Sequence, residues 1–366
     1  MKIVITGGHH NSALPVIDIL KKENAEIYWF GHRHSLKGSK ADTLEYKEIT
    51  ALNIPFVELS AGKFYKTYDP IRLLKIPFGF FQAFYYLLKI RPKAILSFGG
   101  YLAVPVILAG WVLGIPSVTH EQTVVLGWAN KLISKFAKKI LISWEESEKY
   151  FPKNKVVYTG IPLRESVFAS QSNHFDVNKK LPTIYITGGK TGAHKINEFI
   201  GKVLLELLEV CNVIHQCGEH SVHRDDKKLE EIYKNPEEKP KGKYFIRTFV
   251  FEDEIGEVFE KADLVVSRAG AHIINELLAL EKPCILIPIP WVSHNEQYKN
   301  AKVLEEYGLA EILAEKDLTP ENFLGILKGM LSDLGKYKLN DKNARELLKK
   351  DSAKLIADEV FKISRT

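Results

Sequence analysis

The chain writes almost the same phrase twice. Near its start, KIVIT is a short apolar run ending in Gly7-Gly8, and a segment with apolar residues at Leu14, Ile17 and Leu20 follows. At 183–187, TIYIT ends in Gly188-Gly189-Lys190-Thr191-Gly192 and leads into a helical pattern over 193–208. Strand, glycine turn, helix opens a doubly wound parallel sheet, and the turn aims free N–H groups and the positive helix end at an anion. Two such openings in 366 residues, too long for one ordinary domain, predict two similar α/β domains facing each other across a cleft. The aperiodic polar stretch 170–180 marks the boundary. The expected domains are 1–169 and 170–366, with a C-terminal helix able to pack back on the first.

The segment 262–301 carries the sharpest chemistry. It reads as a buried strand (264–266), a small-residue turn Ser267-Arg268-Ala269-Gly270-Ala271, a helix (273–280), a second strand (284–289) and a helix opened by Asn295-Glu296-Gln297. Glu276 falls one turn into the first helix, where a carboxylate reaches a ribose hydroxyl while the turn holds a diphosphate. Gln297 offers an amide to a sugar. The pattern points to a nucleotide diphospho-sugar. Gly188-Gly189-Lys190-Thr191 is not a triphosphatase loop, because that loop needs a glycine where Ile184 stands inside the strand.

Elsewhere the sequence mostly excludes. Three cysteines cannot pair evenly and fit a reduced, cytoplasmic protein. No cleavable leader is visible, and the uncharged stretch 94–119 is cut by glycines and prolines into pieces shorter than the ~20 residues of a span. His9-His10, His32/His34 and His215/Cys217 lack the spacing of a metal site. No tightly bound cofactor or metal and no nucleic-acid partner is expected; a divalent ion is possible but not implied.

Residues 63–93 stand apart. Lys63, Lys66, Arg72, Lys75, Lys89 and Arg91 frame a dense apolar set that includes Phe78, Phe81, Phe84 and Tyr85. A helix burying one face needs a stripe of only about 100°, and this one is apolar almost all round. The expectation is a surface lying peripherally on the anionic, cytoplasmic face of a membrane; the competing reading is a helix sandwiched in the core. Downstream, one strand ends in Phe98-Gly99-Gly100-Tyr101 and the next delivers His120-Glu121-Gln122-Thr123. These are the strand ends where open α/β sheets bind ligands.

The blocks FGGYLAVPVILAGWVLGIPSVTHEQ, TGIPLR, GGKTGAHKIN, FVFEDEIGEVFEKADLVVSRAGA, Glu276 and NEQYKNA stand in the order and spacing of the MurG family. The chain resembles these GT-B glycosyltransferases, which convert lipid I to lipid II in peptidoglycan synthesis, over nearly its whole length. The resemblance implies UDP-N-acetylglucosamine as donor and a polyprenyl-linked glycolipid as acceptor. Arg164, Phe249 and Val250 would lie near uracil and Glu276 on the ribose. Backbone at Ala271, His272 and Ile273 and the Gly188–Gly192 turn, with Lys190 and Thr191, would hold the diphosphate. Gln297 and Asn197 would contact the sugar. The acceptor side would be lined by Gly7, Gly8, Asn11, Ser12, Tyr101, His120, Glu121, Gln122 and Thr123.

Three departures fall on or near that side or the cleft. The family's GGTGGH is here Gly7-Gly8-His9-His10-Asn11-Ser12, its HEQN ends in Thr123, and its TGNP is Thr159-Gly160-Ile161-Pro162. The expected reaction is inverting transfer to the C4 hydroxyl of lipid I, with His9 or His10 as general base in place of the missing histidine at 12. Two alternatives stay open: transfer to another membrane lipid such as diacylglycerol, and a non-catalytic nucleotide-sugar-binding partner.

Overall fold

The computed structural model describes residues 1–34, 42–59, 70–170, 172–189, 191–219, 222–234, 238–292, 295–339 and 351–365, with only the backbone for 70–76. Lys63, Lys66 and Lys190 and the side chains of Arg72 and Lys75 therefore lie outside the described set. The chain divides into two compact units, Met1–Leu163 with Lys349–Thr366, and Arg164–Leu348.

The first unit is a parallel sheet of seven strands: β1 (Lys2–Thr6), β2 (Glu26–Gly31), β3 (Phe56–Glu58), β4 (Ala94–Ser97), β5 (Ser117–Glu121), β6 (Lys139–Ile142) and β7 (Val156–Tyr158). Their order is β3-β2-β1-β4-β5-β6-β7. β4 and β5 are buried at every position, as strands covered on both faces must be. Two layers of helix provide the cover. On one side α1 (His10–Lys22) supplies Val16, Ile17 and Leu20, and the C-terminal helix (Ser352–Ser364) packs Ile356, Ala357 and Val360 into the same core. On the other, α3 (Pro70–Ile90), α4 (Ala103–Val112) and α5 (Trp128–Phe136) bury Leu87, Ile107 and Ile133 together. Truncating one such residue to alanine costs roughly 2–5 kcal/mol.

The second unit repeats the plan with six strands: β8 (Thr183–Thr187), β9 (Asn212–Gln216), β10 (Tyr244–Arg247), β11 (Leu264–Ser267), β12 (Cys284–Leu286) and β13 (Ala310–Ile312), ordered β10-β9-β8-β11-β12-β13, all parallel. Its helices are α6 (His194–Leu208), α7 (Asp225–Lys234), α8 (Glu252–Lys261), α9 (Ala271–Ala279), α10 (Glu296–Glu306) and α11 (Pro320–Ser332).

Several expectations are corrected. His10, Asn11 and Ser12, read as loop, form the first turn of α1. The polar run after β2, which reads as a loop, contains α2 (Leu44–Ala51), and the charged run 220–243, whose sequence assigns it no element, contains α7. Each buries little apolar surface, Ile49 in α2 and Leu229 in α7, so neither shows the stripe that announces a helix. The charged sequence from 320 onward reads as helix to the end; in the structure α11 stops at Ser332, where Asp333 leaves helical geometry (φ −146°), and Ser352–Ser364 forms a separate helix.

Candidate functional site

In the second unit the strand order reverses between β8 and β11, and the turns that leave these two strands carry the expected donor residues. After β8, Gly192 has φ +72°, and a Cβ there would stand 1.9 Å from the Cys217 carbonyl oxygen. Only glycine fits. Gly189 also has positive φ, yet the space beside it is open. Gln216 clamps this turn from the end of β9. Its amide nitrogen donates to Thr187 Oγ1 (3.2 Å) and to the Gly189 carbonyl (2.9 Å), while its oxygen accepts from the Val250 N–H (2.9 Å). The sequence reading missed Gln216; its signal was a polar residue closing a buried strand.

After β11, α9 begins at Gly270 with no side-chain cap and no acidic residue in its first turn. The N-terminal amides at Ala271, His272 and Ile273 therefore present the positive end of the helix to an anion. One turn on, Glu276 is buried with its carboxylate 3.9 Å from Arg164 Nη2. Gln297 accepts from the Ala269 and Ile289 N–H groups (3.3 and 3.1 Å), tying the turns after β11 and β12 together and leaving its NH2 end as the donor. Lys195 in the first turn of α6 and Arg268 after β11 both pair with Glu315, at 2.7 and 2.9 Å. Burial alone would raise the Glu315 pKa; the two cations outweigh it and hold the carboxyl below its ordinary value. Phe249 is half-buried, edge-on to Phe251 at 5.1 Å, and Val250 is buried.

Asn197 is differently placed from the sugar contact expected of it. Its amide nitrogen donates to the Cys217 carbonyl (2.7 Å) and Asp225 (2.9 Å), and its oxygen meets His215 Nε2 (3.1 Å). Both ends of the amide are engaged beneath the turn, so Asn197 supports the site from below.

In the first unit the turns after β1 and β4 close on each other. Gly7 has φ +136° and a Cβ there would meet the Phe98 backbone at 2.8 Å, and the Gly8 N–H donates to the Gly99 carbonyl (3.2 Å). His9 caps α1 without a side-chain bond. His9 is exposed as a residue; desolvation of its ring first, and His10 second, lower its pKa. His10 Nε2 lies 2.8 Å from Glu48 of α2, and Ser12 is fully buried. Tyr101 packs against His32 with ring centres 5.8 Å apart, and burial, then Glu45, raise its pKa.

The residues that close β5 and follow it split into two groups. Glu121 accepts from the Asn130 amide (2.9 Å), the Thr123 N–H (3.2 Å), the Thr123 hydroxyl (2.9 Å) and the Gly127 N–H (3.4 Å). Burial pushes its pKa up against these bonds. Glu121 and Thr123 thus shape the turn from inside. His120 and Gln122 are buried with capacity to spare. His120 Nε2 meets the Gly160 carbonyl (2.9 Å) and burial lowers its pKa to about 4, keeping the ring neutral. Its Nδ1, both amide atoms of Gln122 and Asn11 Oδ1 have no hydrogen-bond partner among the described residues.

The helix α3 is not sandwiched. Ala83, Leu87 and Ile90 enter the core and Phe84 turns inward with Phe80, whereas Phe78, Phe81, Tyr85 and Leu88 are 49–67% exposed. Their 3-4-3 spacing makes a second apolar stripe on the outer face. Trp111 and Val112 of α4 and Trp128 of α5 are exposed too, on helices in contact with α3 or α4. Lys89, Arg91, Lys131 and Lys135 are exposed nearby in sequence. Among the described residues no helix is long and apolar enough to cross a membrane.

Comparison with known proteins fits both units. The N-terminal domain of glycosyltransferase family 28 matches residues 4–142, and its C-terminal domain residues 183–360. The chain is 33% identical to the UDP-N-acetylglucosamine--N-acetylmuramyl-(pentapeptide) pyrophosphoryl-undecaprenol N-acetylglucosamine transferase 2 of Bacillus cereus, over 95% of this chain and 97% of that one. A transferase of the same name, without the numeral, from Clostridium perfringens is 34% identical over 92% of each. Among solved structures, Acinetobacter baumannii MurG matches with TM-score 0.73 and 25% identity, covering 99% of both chains. The UDP-GlcNAc 2-epimerase of Neisseria meningitidis, solved with UDP-GlcNAc bound, shares the fold at TM-score 0.65 and 13% identity, covering 99% of this chain and 100% of that one.

Proposed function

We propose a reaction from one premise: the chain belongs to the MurG family, within glycosyltransferase family 28. It moves N-acetylglucosamine from UDP-N-acetylglucosamine to the C4 hydroxyl of lipid I, an undecaprenyl-pyrophosphoryl muramyl peptide, and forms lipid II with inversion. The observation that carries the donor half is the uncapped start of α9 one turn before buried Glu276, beside a glycine turn only glycine can make. The amides of Ala271, His272 and Ile273 and the 188–192 turn take the diphosphate, Glu276 the ribose, Arg164, Phe249 and Val250 the uracil, and Gln297 the sugar.

The acceptor hydroxyl attacks the anomeric carbon, and the departing UDP gathers charge that the helix end and turn amides are already aimed to receive. A base on the turn after β1, His9 or His10, takes the hydroxyl proton. Gly7, Gly8, Asn11, Tyr101, His120 and Gln122 contact the acceptor, with Ser12, Glu121 and Thr123 behind them. The outer stripe of α3 and its cations rest on the anionic cytoplasmic face of the membrane, where a polyprenyl acceptor is found.

The test is purified protein with labelled UDP-N-acetylglucosamine and anionic vesicles carrying either lipid I or diacylglycerol. Lipid II is the expected product. Glycosylated diacylglycerol in its place would move the chain to the second reading, which the altered turn His9-His10-Asn11-Ser12 favours. No product from either would overturn the enzymatic reading.

A further inference from the structure

We infer that the general base is an imidazole–carboxylate pair, His10 with Glu48, in which His10 receives the acceptor's proton and Glu48 orients the ring and offsets the charge it gains. The inference rests on the transfer reaction proposed above and names the part of it that Ser12 leaves vacant. A serine hydroxyl does not take protons near neutral pH, and Ser12 is fully buried in the first turn of α1. The imidazole stands two residues earlier, and a carboxylate meets it: His10 Nε2 lies 2.8 Å from Glu48 Oε2, with the two side chains 15% and 27% exposed.

The pair joins elements far apart in sequence. His10 is the first residue of α1, and Glu48 comes from α2, a helix started by the Thr43 hydroxyl accepting the Tyr46 N–H (3.2 Å). Two anchors fix α2 on the sheet. Ile49 is fully buried, and Glu45, one turn before Glu48, accepts from Trp29 Nε1 of β2 at 2.6 Å. The carboxylate is therefore held in place by packing.

The contact is one of charge and proximity, without an aligned hydrogen bond. Catalytic hydrogen bonds often tighten only once substrate is bound. His9 has no carboxylate within ion-pair distance among the described residues, so of the two adjacent histidines His10 is the one with a partner.

With Nε2 facing Glu48, Nδ1 is the nitrogen that accepts. The C4 oxygen forms its bond to the anomeric carbon as its proton passes to Nδ1. The bond from that carbon to the β-phosphate oxygen breaks, and its electron pair leaves with UDP. The positive charge gained by the ring is offset by the Glu48 carboxylate, as in other imidazole–carboxylate pairs.

The experiment compares His10→Ala, Glu48→Gln and Glu48→Asp with the parent on lipid I vesicles, with melting temperatures confirming folded protein. His10→Ala should lower kcat by about 10²–10⁴-fold, and added imidazole should restore part of it, which a structural defect would not allow. Glu48→Gln should lower kcat at least about 10-fold with the KM for UDP-N-acetylglucosamine unchanged, and Glu48→Asp should retain more activity than Glu48→Gln. Parental kcat in Glu48→Gln, or no imidazole rescue of His10→Ala, would overturn the pair while leaving the transferase reading intact. A parent without turnover would overturn both.

Discussion

At the turns after β8, β11 and β12, most polar side chains named above have a protein partner: Gln216 joins the Gly189 and Val250 backbones, Asn197 spans Cys217 and Asp225, and Gln297 closes on Ala269 and Ile289. The exceptions among the described residues there are Arg268 Nε, Asn300 Oδ1 and Glu315 Oε1, the last meeting Lys195 as an ion pair. At the corresponding end of the first sheet, His120 Nδ1, the whole Gln122 amide and Asn11 Oδ1 are buried without partners. An unsatisfied buried group costs about 1–3 kcal/mol, and native chains keep such groups where strain, catalysis, water or a bound group accounts for them. One sheet order therefore supports two kinds of site. Among the described residues the second unit ties its turns together mostly with protein partners, whereas the first keeps more buried polar groups without a protein partner.

The most severe way to break this contrast is Gly192→Ala. The methyl would stand 1.9 Å from a backbone oxygen at a positive φ, so the turn must move. Affinity for UDP-N-acetylglucosamine, measured by calorimetric titration, should fall more than about 100-fold. Gly8→Ala in the first unit is the counterpart, with no atom within 4 Å of the new carbon; it should leave donor affinity and melting temperature near the parent. Donor binding that survived Gly192→Ala would show that the turn is not the rigid support described. Next in size is Glu276→Ala. If the buried carboxylate bonds the ribose as proposed, its loss should raise the donor KM about 10–100-fold, the effect of one charged hydrogen bond. The acceptor KM should stay put, and a change in it instead would place Glu276 on the wrong substrate.

Legibility in the sequence divides along the same line. The buried strands were readable because both faces are apolar: β1 and β8 were expected at their observed limits, and β11 within a residue. Elements held by few apolar contacts were not. α2 and α7 carry about one buried aliphatic each, and β13 is a three-residue edge strand. Positions needing a special backbone were legible too, since Gly188-Gly189 and Gly7-Gly8 announce their turns. What stayed hidden was pairing across long sequence distances. Nothing near Asn197 in sequence says that Cys217 and Asp225 will engage its amide, and nothing near His10 says that α2 will bring Glu48 to it.

The smallest predicted effect separates the units by acid–base behaviour. In the second unit Glu257 accepts from Ser172 and from the His174 and Phe175 N–H groups. Burial would raise its pKa, but these bonds and Lys261 bring it down to about 2. Its stabilising contribution is present above the unfolded value near 4.5 and is lost as pH falls from there through 2. Glu45 in the first unit runs the other way. Burial, only partly opposed by the Trp29 bond, raises it to about 7. Between roughly pH 4.5 and 7 the folded chain therefore holds a proton the unfolded chain has released, so stability falls as pH rises through that window and is flat above it. Glu45→Gln keeps an acceptor for Trp29 and removes the charge. It should match the parent near pH 4.5 and exceed it at pH 8 by roughly 1–2 kcal/mol, after discounting for partial exposure. Denaturant unfolding followed by tryptophan fluorescence reads mainly the first unit, which holds Trp29, Trp111, Trp128 and Trp144 while the second holds Trp291. Parallel pH profiles for parent and variant would mean that Glu45 is as well served by partners as Glu257, and the contrast between a unit mostly tied by protein partners and one with more unpartnered groups would lose its electrostatic half.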